Sequence, residues 1–364
     1  MTYIPNYVFE GEPAIGETMQ VAPGIHWLRM PLPFKLDHIN LWLLEDGDEW
    51  VIVDTGICTD DCKATWETLF QGTMGGRPVN RIVVTHFHPD HAGLAGWLTE
   101  RFNVPLIMPL TEWTFGRMLS LDGQEVSLDV YKEFYHKSGF TAELMDTVTR
   151  RMGGYKKVVS TIPAALQRIE DGSEITIGGK SWRMIVGRGH SPEHACLYCD
   201  EADVLISGDQ VLPKISPNVS VWPQEPDGQP LQLYIQSIEH IRQQIPGDPL
   251  ILPSHNWPFK GLHARLDDLD AHHVERLDDT VEALFEPSTG VEVLYRLFKR
   301  ELDEHQTFFA IGETLAHLHQ LVSDGRAVRS VRNDGVYIFT RTQGFSPAVP
   351  LTFCMGRKRK CVGP

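Results

Sequence analysis

Six cysteines in 364 residues are too few and too unevenly spaced for a disulfide framework. They are Cys58, Cys62, Cys196, Cys199, Cys354 and Cys361. Scattered cysteines in a large chain read as reduced thiols, so a cytoplasmic location is expected. Cys196-Leu197-Tyr198-Cys199 has the spacing of half a zinc knuckle. No second pair follows it, and Ala195 to Cys199 reads as a buried strand. Long apolar runs are also missing, and no stretch supplies the ~20 residues that a bilayer crossing needs. Met1 to Gln20 shows neither a basic n-region nor an apolar h-region, so no secretion signal or transit peptide is expected there. Positive charge is short as well: 33 Lys and Arg stand against 48 Asp and Glu, a formal net charge of −15. Such a surface repels phosphate backbones and anionic lipid. Nucleic acid and membrane are therefore poor partners, and a small-molecule substrate is the better expectation. No internal repeat is visible.

What is present is a globular chain. Hydrophobic residues make up 42% and charged residues 22%, enough for a sizeable core and for one large domain plus a small one. Asn40 to Leu44 and Trp50 to Val53 are β-rich runs separated by Asp46-Gly47-Asp48. Strand and helix patterns then alternate: a helix over Thr65 to Gln71, a strand over Arg81 to Val84, a helix over His91 to Arg101, a strand over Val104 to Met108. Residues 111–162 change texture and read as a helical insert, either a lid over a site or a plain packing layer. Strand patterns return at Ser173 to Ile177, Trp182 to Val186, Ala195 to Cys199 and Val204 to Ser207. A helix over Leu231 to Gln243, a strand at Leu250 to Leu252 and a long helix over His263 to Phe285 follow. Two successive strand-and-helix halves predict an α/β fold, a four-layer αββα sandwich over residues 1–285. A turn-rich boundary at Glu286 to Gly290 opens a second unit, residues 286–345. Helices there precede a hairpin signature at Asn333-Asp334-Gly335, which suggests a small winged-helix domain. Its arginines Arg326, Arg329, Arg332 and Arg341 are offset by nearby acids, so packing or homodimer formation is expected of it rather than DNA reading. The tail, residues 346–364, carries the basic cluster Arg357 to Lys360 and reads as a solvated end.

The strongest chemical signal is Thr85-His86-Phe87-His88-Pro89-Asp90-His91, directly after the strand Arg81 to Val84. Residues two apart on an extended chain point the same way, so His86 and His88 can converge on one ion. Pro89 stops the strand, and Asp90 and His91 fall where the next helix begins. Three further residues follow predicted strands: His190 after Met184 to Val186, Asp209 after Val204 to Ser207, and His255 after Leu250 to Leu252. His272 and His273 are adjacent on a helix, about 100° apart, and cannot easily face one ion together.

The order His-x-His-x-Asp-His, Gly-His, Gly-Asp and a late His resembles the metallo-β-lactamase superfamily over roughly Ala22 to Phe285. The resemblance implies two divalent ions, zinc first, with iron or manganese as alternatives. It places one ion on His86, His88 and His190, and the other on Asp90, His91 and His255. Asp209 and a hydroxide would bridge them, and Asp90 would also accept a proton. Asp54, closing Val51-Ile52-Val53-Asp54-Thr55-Gly56, matches the superfamily's aspartate that fixes a ligand histidine from behind. His194 would support a ligand or meet substrate. Zinc β-lactamases proper have Cys or Ser where Asp209 stands, which argues against antibiotic hydrolysis. Glyoxalase II enzymes share the core but carry a different C-terminal segment. Gly208-Asp209-Gln210-Val211-Leu212-Pro213 is closer to bacterial hydrolases. The β-lactamase-like endoribonuclease shares the plan of core plus winged helix. The expected activity is hydrolysis of a thioester, ester or lactone, with RNA phosphodiester cleavage and a non-enzymatic metal-bearing regulator as alternatives. Aromatic residues of the insert, Trp113, Phe115, Tyr131, Phe134, Tyr135 and Tyr155, together with Met118, would anchor an apolar substrate over the metals.

Overall fold

A computed structural model describes residues 3–34, 36–122, 124–151 and 153–342. The basic tail cluster, Cys354 and Cys361 lie outside them. Two seven-stranded sheets form the centre. The first runs in the order Thr18–Ala22, Ile25–Pro31, His38–Asp46, Glu49–Val53, Val79–Val83, Leu106–Pro109, Gln167–Ile169. The second runs Asn6–Tyr7, Phe259–Lys260, Leu250–Pro253, Val204–Gly208, His194–Cys199, Lys180–Gly187, Glu174–Ile177. The strands Thr18–Ala22 and Ile25–Pro31 extend the first sheet beyond what the sequence patterns predict. In each sheet the strand leading into a ligand loop pairs parallel to its neighbour: Val79–Val83 beside Glu49–Val53, and Val204–Gly208 beside Leu250–Pro253. Parallel neighbours put their carboxyl ends on one edge, which is where α/β folds place their sites.

Three apolar clusters separate four layers, helices, sheet, sheet and helices, as the αββα reading requires. Trp27, Trp42, Val51, Val53, Val83, Trp182, Met184, Leu197 and Ile206 fill the space between the sheets. Outside the first sheet, Ile52, Trp66, Leu69, Ile82 and Leu98 join it to the helices Asp60–Gln71 and Ala95–Phe102. Outside the second sheet, Ile185, Leu205, Tyr234, Ile238, Leu266 and Leu269 join it to Pro230–Gln244 and Leu262–Ala283. Each such fully buried side chain contributes about 1.5–3 kcal/mol relative to exposure. Asn40 bridges the sheets: its Nδ2 donates to the carbonyl of Pro253 at 2.8 Å, and its Oδ1 accepts from Trp27 Nε1 at 2.8 Å.

Helices Leu110–Leu121, Gln124–Lys137, Ala142–Arg151 and Gly154–Lys157 occupy the insert. Phe134, Tyr135 and Phe140 from it share one apolar cluster with Phe308, Ile311 and Phe339 from the chain's end. The C-terminal unit is two helices, Gly290–Leu297 and Glu304–Ser323, followed by the hairpin Ala327–Val331 and Tyr337–Arg341. Thr289 and Glu292 close the first helix with a reciprocal capping box. Three of the four arginines of this unit's hairpin region, Arg326, Arg329 and Arg332, are engaged within the chain: Arg326 with Asp278, Arg329 with Asp227 and Arg332 with Asp334. Among the described residues no helix is long and apolar enough to cross a membrane.

Candidate metal centre

His86 and His88 leave the strand Val79–Val83 on one side, with His86 Nε2 2.9 Å from His88 Nδ1. Phe87 points the other way, against Phe115, ring centroids 5.6 Å apart. Pro89 opens the short helix Pro89–Ala92, which carries Asp90 and His91. His190 arrives from the loop after Lys180–Gly187, its Nε2 3.2 Å from His86 Nε2. Asp209 follows Val204–Gly208, with Oδ2 3.4 Å from His190 Nε2 and Oδ1 3.6 Å from His91 Nε2. His255 follows Leu250–Pro253, and its Nε2 lies 3.5 Å from Asp209 Oδ1 and 3.6 Å from Asp90 Oδ2. Two groups of metal-capable atoms result among the described residues: His86, His88, His190 and Asp209 in one, Asp90, His91 and His255 in the other. The structure therefore brings all seven sequence-predicted ligands together. His272 and His273 lie elsewhere, on Leu262–Ala283, where His273 meets Tyr234 and His317.

The far ring nitrogens are held from behind. Asp54 sits at φ 62°, a left-handed conformation that only a residue with a compensating role keeps cheaply. Its carboxylate accepts from Thr85 N–H at 2.8 Å and lies 2.8 Å from His91 Nδ1. His190 Nδ1 faces the Asn218 carbonyl at 2.9 Å, and His255 Nδ1 the His38 carbonyl at 3.1 Å. Ring nitrogens that donate to these oxygens present the other nitrogen, unprotonated, to a cation. His194 is wholly buried and accepts from the Asp209 backbone N–H at 3.0 Å through Nε2. Gly208, at φ 53°, makes room for that contact, since a Cβ there would lie 2.4 Å from His194 Nε2.

Charge is divided across the centre. Burial and the neighbouring histidines hold His86 well below the usual imidazole range. Burial and His190 hold His88 down at about 3. On the other side burial also disfavours charge on His91, but Asp54, Asp90 and Asp209 outweigh it and raise His91 well above its ordinary value. His255 is raised by Asp209 and Asp90 against the same penalty. Burial pushes Asp209 and Asp90 up, and the facing histidines overcome it, leaving both below their ordinary values. Two buried atoms in the middle, His91 Nε2 and Asp209 Oδ1, have no hydrogen-bond partner. Imidazole nitrogens facing one another at 2.9–3.2 Å, beside an unpartnered carboxylate oxygen, are what a bound cation would satisfy. The residues fit divalent metal.

One functional side chain escapes a reading of the sequence. Glu112, on Leu110–Leu121, is fully buried. It accepts from Phe87 N–H at 3.0 Å, Ser191 Oγ at 2.7 Å and Glu193 N–H at 2.6 Å. Burial pushes its carboxyl up to about 7 against the pull of those donors. Nothing local marks it, because its partners lie 25 and 79–81 residues away. The insert's aromatics need a correction. Phe115 and Tyr155 do reach the metal loops, Tyr155 donating to the Phe87 carbonyl at 2.6 Å. Phe134 and Tyr135 instead pack into the core against Phe140 and Phe308, and Trp113 is tied to the Pro163 carbonyl. These three anchor the insert.

Comparison with known proteins matches residues 35–255 to the metallo-beta-lactamase superfamily and residues 277–342 to the metallo-beta-lactamase-like C-terminal domain. A probable metallo-hydrolase of Bacillus subtilis, YqjP, is 25% identical over 86% of this chain and 97% of its own length. An atrochrysone carboxyl ACP thioesterase of Cryptosporiopsis is 24% identical over 55% of this chain and 47% of its own. Among solved structures, a beta-lactamase domain protein from Burkholderia ambifaria is 42% identical, with TM-score 0.85, covering 93% of this chain and 98% of that one. A metallo-beta-lactamase family protein from Thermus thermophilus is 28% identical, TM-score 0.74, covering 89% and 100%. Motif order, four-layer fold and these likenesses agree: the chain belongs to the metallo-β-lactamase superfamily and is a metal-dependent hydrolase.

Proposed function

We propose that this hydrolase is dinuclear and cleaves a small or mid-sized carbonyl compound, a thioester, ester or lactone. The observation that carries the reading is Asp209, whose two oxygens face opposite ligand groups at 3.4–3.6 Å. His86, His88 and His190 would hold one ion, Asp90, His91 and His255 the other, and Asp209 both. Zinc suits this donor set best, with iron or manganese as alternatives. When bound, such ions lower the pKa of water from ~15.7 towards ~7 and polarise a substrate oxygen. Asp90 keeps 21% of its side chain exposed, unlike the buried His91 beside it, so its free oxygen is the group placed to take a proton at the mouth. Asp54 and His194 hold His91 and Asp209 in place.

An acyl substrate is favoured over nucleic acid by the charge of −15 and by the ion pairs of Arg326, Arg329 and Arg332 with acids of the chain. The thioesterase named among the relatives points the same way. The C-terminal unit, helices then a hairpin, serves in this reading as a winged-helix-like packing unit. The free thiols Cys58, Cys62, Cys196 and Cys199 suit a cytoplasmic setting. The test is metal analysis after gentle purification, followed by a screen of thioesters, lactones, phosphodiesters and RNA. Two ions per chain and metal-dependent turnover of an acyl compound are expected. A stoichiometry of one that added metal cannot raise, or turnover of phosphodiesters alone, would overturn the reading.

A further inference from the structure

Glu112 has no place among the ligands, yet it is the fully buried acid that touches both ligand loops outside the metal groups. Its two oxygens divide the work. Oε2 accepts from the Phe87 N–H, between His86 and His88. Oε1 accepts from the Ser191 hydroxyl and the Glu193 N–H, just past His190. Glu193 returns the contact, its Oε2 accepting from the Thr111 N–H at 3.3 Å. The loops so joined come from different sheets. A backbone bond, Ala195 N–H to the Thr85 carbonyl at 2.9 Å, joins the two regions at the strand ends, and Glu112 ties them beyond that point, at Phe87 and at Ser191 and Glu193.

We propose that Glu112 is a positioning residue that sets the spacing of His86, His88 and His190, and that the helical insert thereby governs metal affinity on that side of the centre. The inference rests on the dinuclear reading above. The chemistry of the three partners makes it specific. All three are donors, so only a group with two acceptor oxygens satisfies both loops. A glutamine keeps the volume but offers one oxygen. With its oxygen on the Phe87 N–H, the NH₂ can donate to the Ser191 hydroxyl but faces the Glu193 N–H; turned round, it faces the Phe87 N–H, so either way one backbone donor loses its partner. Phe115 and Tyr155 add weight from the same segment, since both pack on Phe87.

The experiment is titration of the metal-free full chain with Co²⁺ alone, against a competing chelator, reading the visible absorption of each binding step. The variants are Glu112→Ala, Glu112→Gln and Ser191→Ala, with circular dichroism on each and kcat and KM for the best substrate. Glu112→Ala should weaken one of the two steps by about 10–100-fold, the range seen when groups that orient metal ligands are lost. Glu112→Gln should fall between it and wild type, and Ser191→Ala should lose least. The other step should stay as in wild type, and kcat should drop more than KM rises. If Glu112→Ala does not fold, Glu112→Gln and Ser191→Ala carry the test. Folded variants that bind both ions as tightly as wild type, or that lose both steps equally, overturn the proposal. A wild-type chain that takes up one ion only would sink the dinuclear reading instead, and Glu112 would then stand or fall on that ion's affinity.

Discussion

The two sides of the metal centre rest on different supports. His91 is backed by a carboxylate, Asp54, which belongs to the neighbouring strand of the same sheet and is bonded to Thr85 as well. Among the described residues His86, His88 and His190 have no carboxylate directly behind them, and Asp54 reaches His86 only through the Thr85 hydroxyl, which lies 2.9 Å from Asp54 Oδ2. His190 leans on the carbonyl of Asn218, and His86 Nδ1 lies 3.0 Å from the Thr85 hydroxyl. Their order is imposed indirectly, by Glu112 holding the loops. The difference shows in the charges, with His86 and His88 held neutral while His91 and His255 are drawn towards the protonated form. Both sides are assembled between the sheets, since His190 and His255 follow strands of the second sheet while His86, His88, Asp90 and His91 follow Val79–Val83 of the first. They differ in the carboxylates beside and behind their histidines. A cation held by His86, His88 and His190 would meet one carboxylate, Asp209, while one held by Asp90, His91 and His255 would meet Asp90 and Asp209, with Asp54 behind.

Asp209 belongs to both sides, so removing it should break the comparison altogether. Asp209→Ala is expected to lower kcat by more than the ~10–100-fold typical of supporting groups, and to loosen both metal-binding steps. Its side chain faces the ligand histidines and its backbone N–H bonds to His194, so the fold should survive. Turnover, metal content and a thermal melt on the same preparation check this. A variant with two tightly held ions and near-normal turnover would show that the sides do not share an anion.

Asp54→Asn should sharpen the comparison by striking one side harder. Asparagine tolerates the left-handed backbone at this position, and its amide oxygen can still accept from the Thr85 N–H. The negative charge behind His91 is lost. The expected result is one metal-binding step weakened by about 10–100-fold, with the other, which Asp54 reaches only through the Thr85 hydroxyl, weakened less. Combined with Glu112→Gln, it should weaken both steps. If both single variants weaken the same step most, the assignment of supports to sides is wrong.

Much of this centre was legible because local spacing carries it. His86 and His88 alternate on extended chain, and a helix begins at Pro89, so convergence follows from backbone geometry alone. The αββα layering was legible from the alternation of strand and helix. The strands Thr18–Ala22 and Ile25–Pro31 are not evident in the sequence, because it is long-range pairing that makes them strands: Ile25–Pro31 pairs with His38–Asp46, and Thr18–Ala22 adds to it at the sheet's edge. Glu112 was illegible for a different reason. Its setting, Leu110 to Leu121, has no clear apolar face, its buried residues being Glu112 and Gly116, and a glutamate there reads as solvent-facing until two distant loops enclose it. The aromatic residues of the insert misled because large apolar side chains serve a core as readily as a pocket. Phe134 and Tyr135 took the first role.

The smallest expected effect tests whether the C-terminal unit also reaches the His190 side. The Val221 N–H donates to the Gly312 carbonyl at 3.1 Å, Ser220 Oγ bonds Asn218 Oδ1 at 2.8 Å, and the Asn218 carbonyl holds His190. A Cβ on Gly312 would lie 2.8 Å from Ser220 Cβ and Oγ and 3.1 Å from the Val221 carbonyl. Gly312→Ala therefore has two opposed consequences. Alanine favours the helix Glu304–Ser323 by about 0.8–1 kcal/mol. Crowding against the loop costs about 1–3 kcal/mol. The melt should move little, while the loop shifts and turnover falls by no more than about 10-fold, the lower end for a group that orients a ligand. Ser220→Gly removes the two nearest atoms that the new methyl strikes, leaving the Val221 carbonyl at 3.1 Å, so the double variant should recover turnover towards that of Ser220→Gly alone. A double variant as slow as Gly312→Ala would mean that the helix acts on the centre by another route, and that His190 owes its orientation to Glu112 and Asn218 without help from the chain's end.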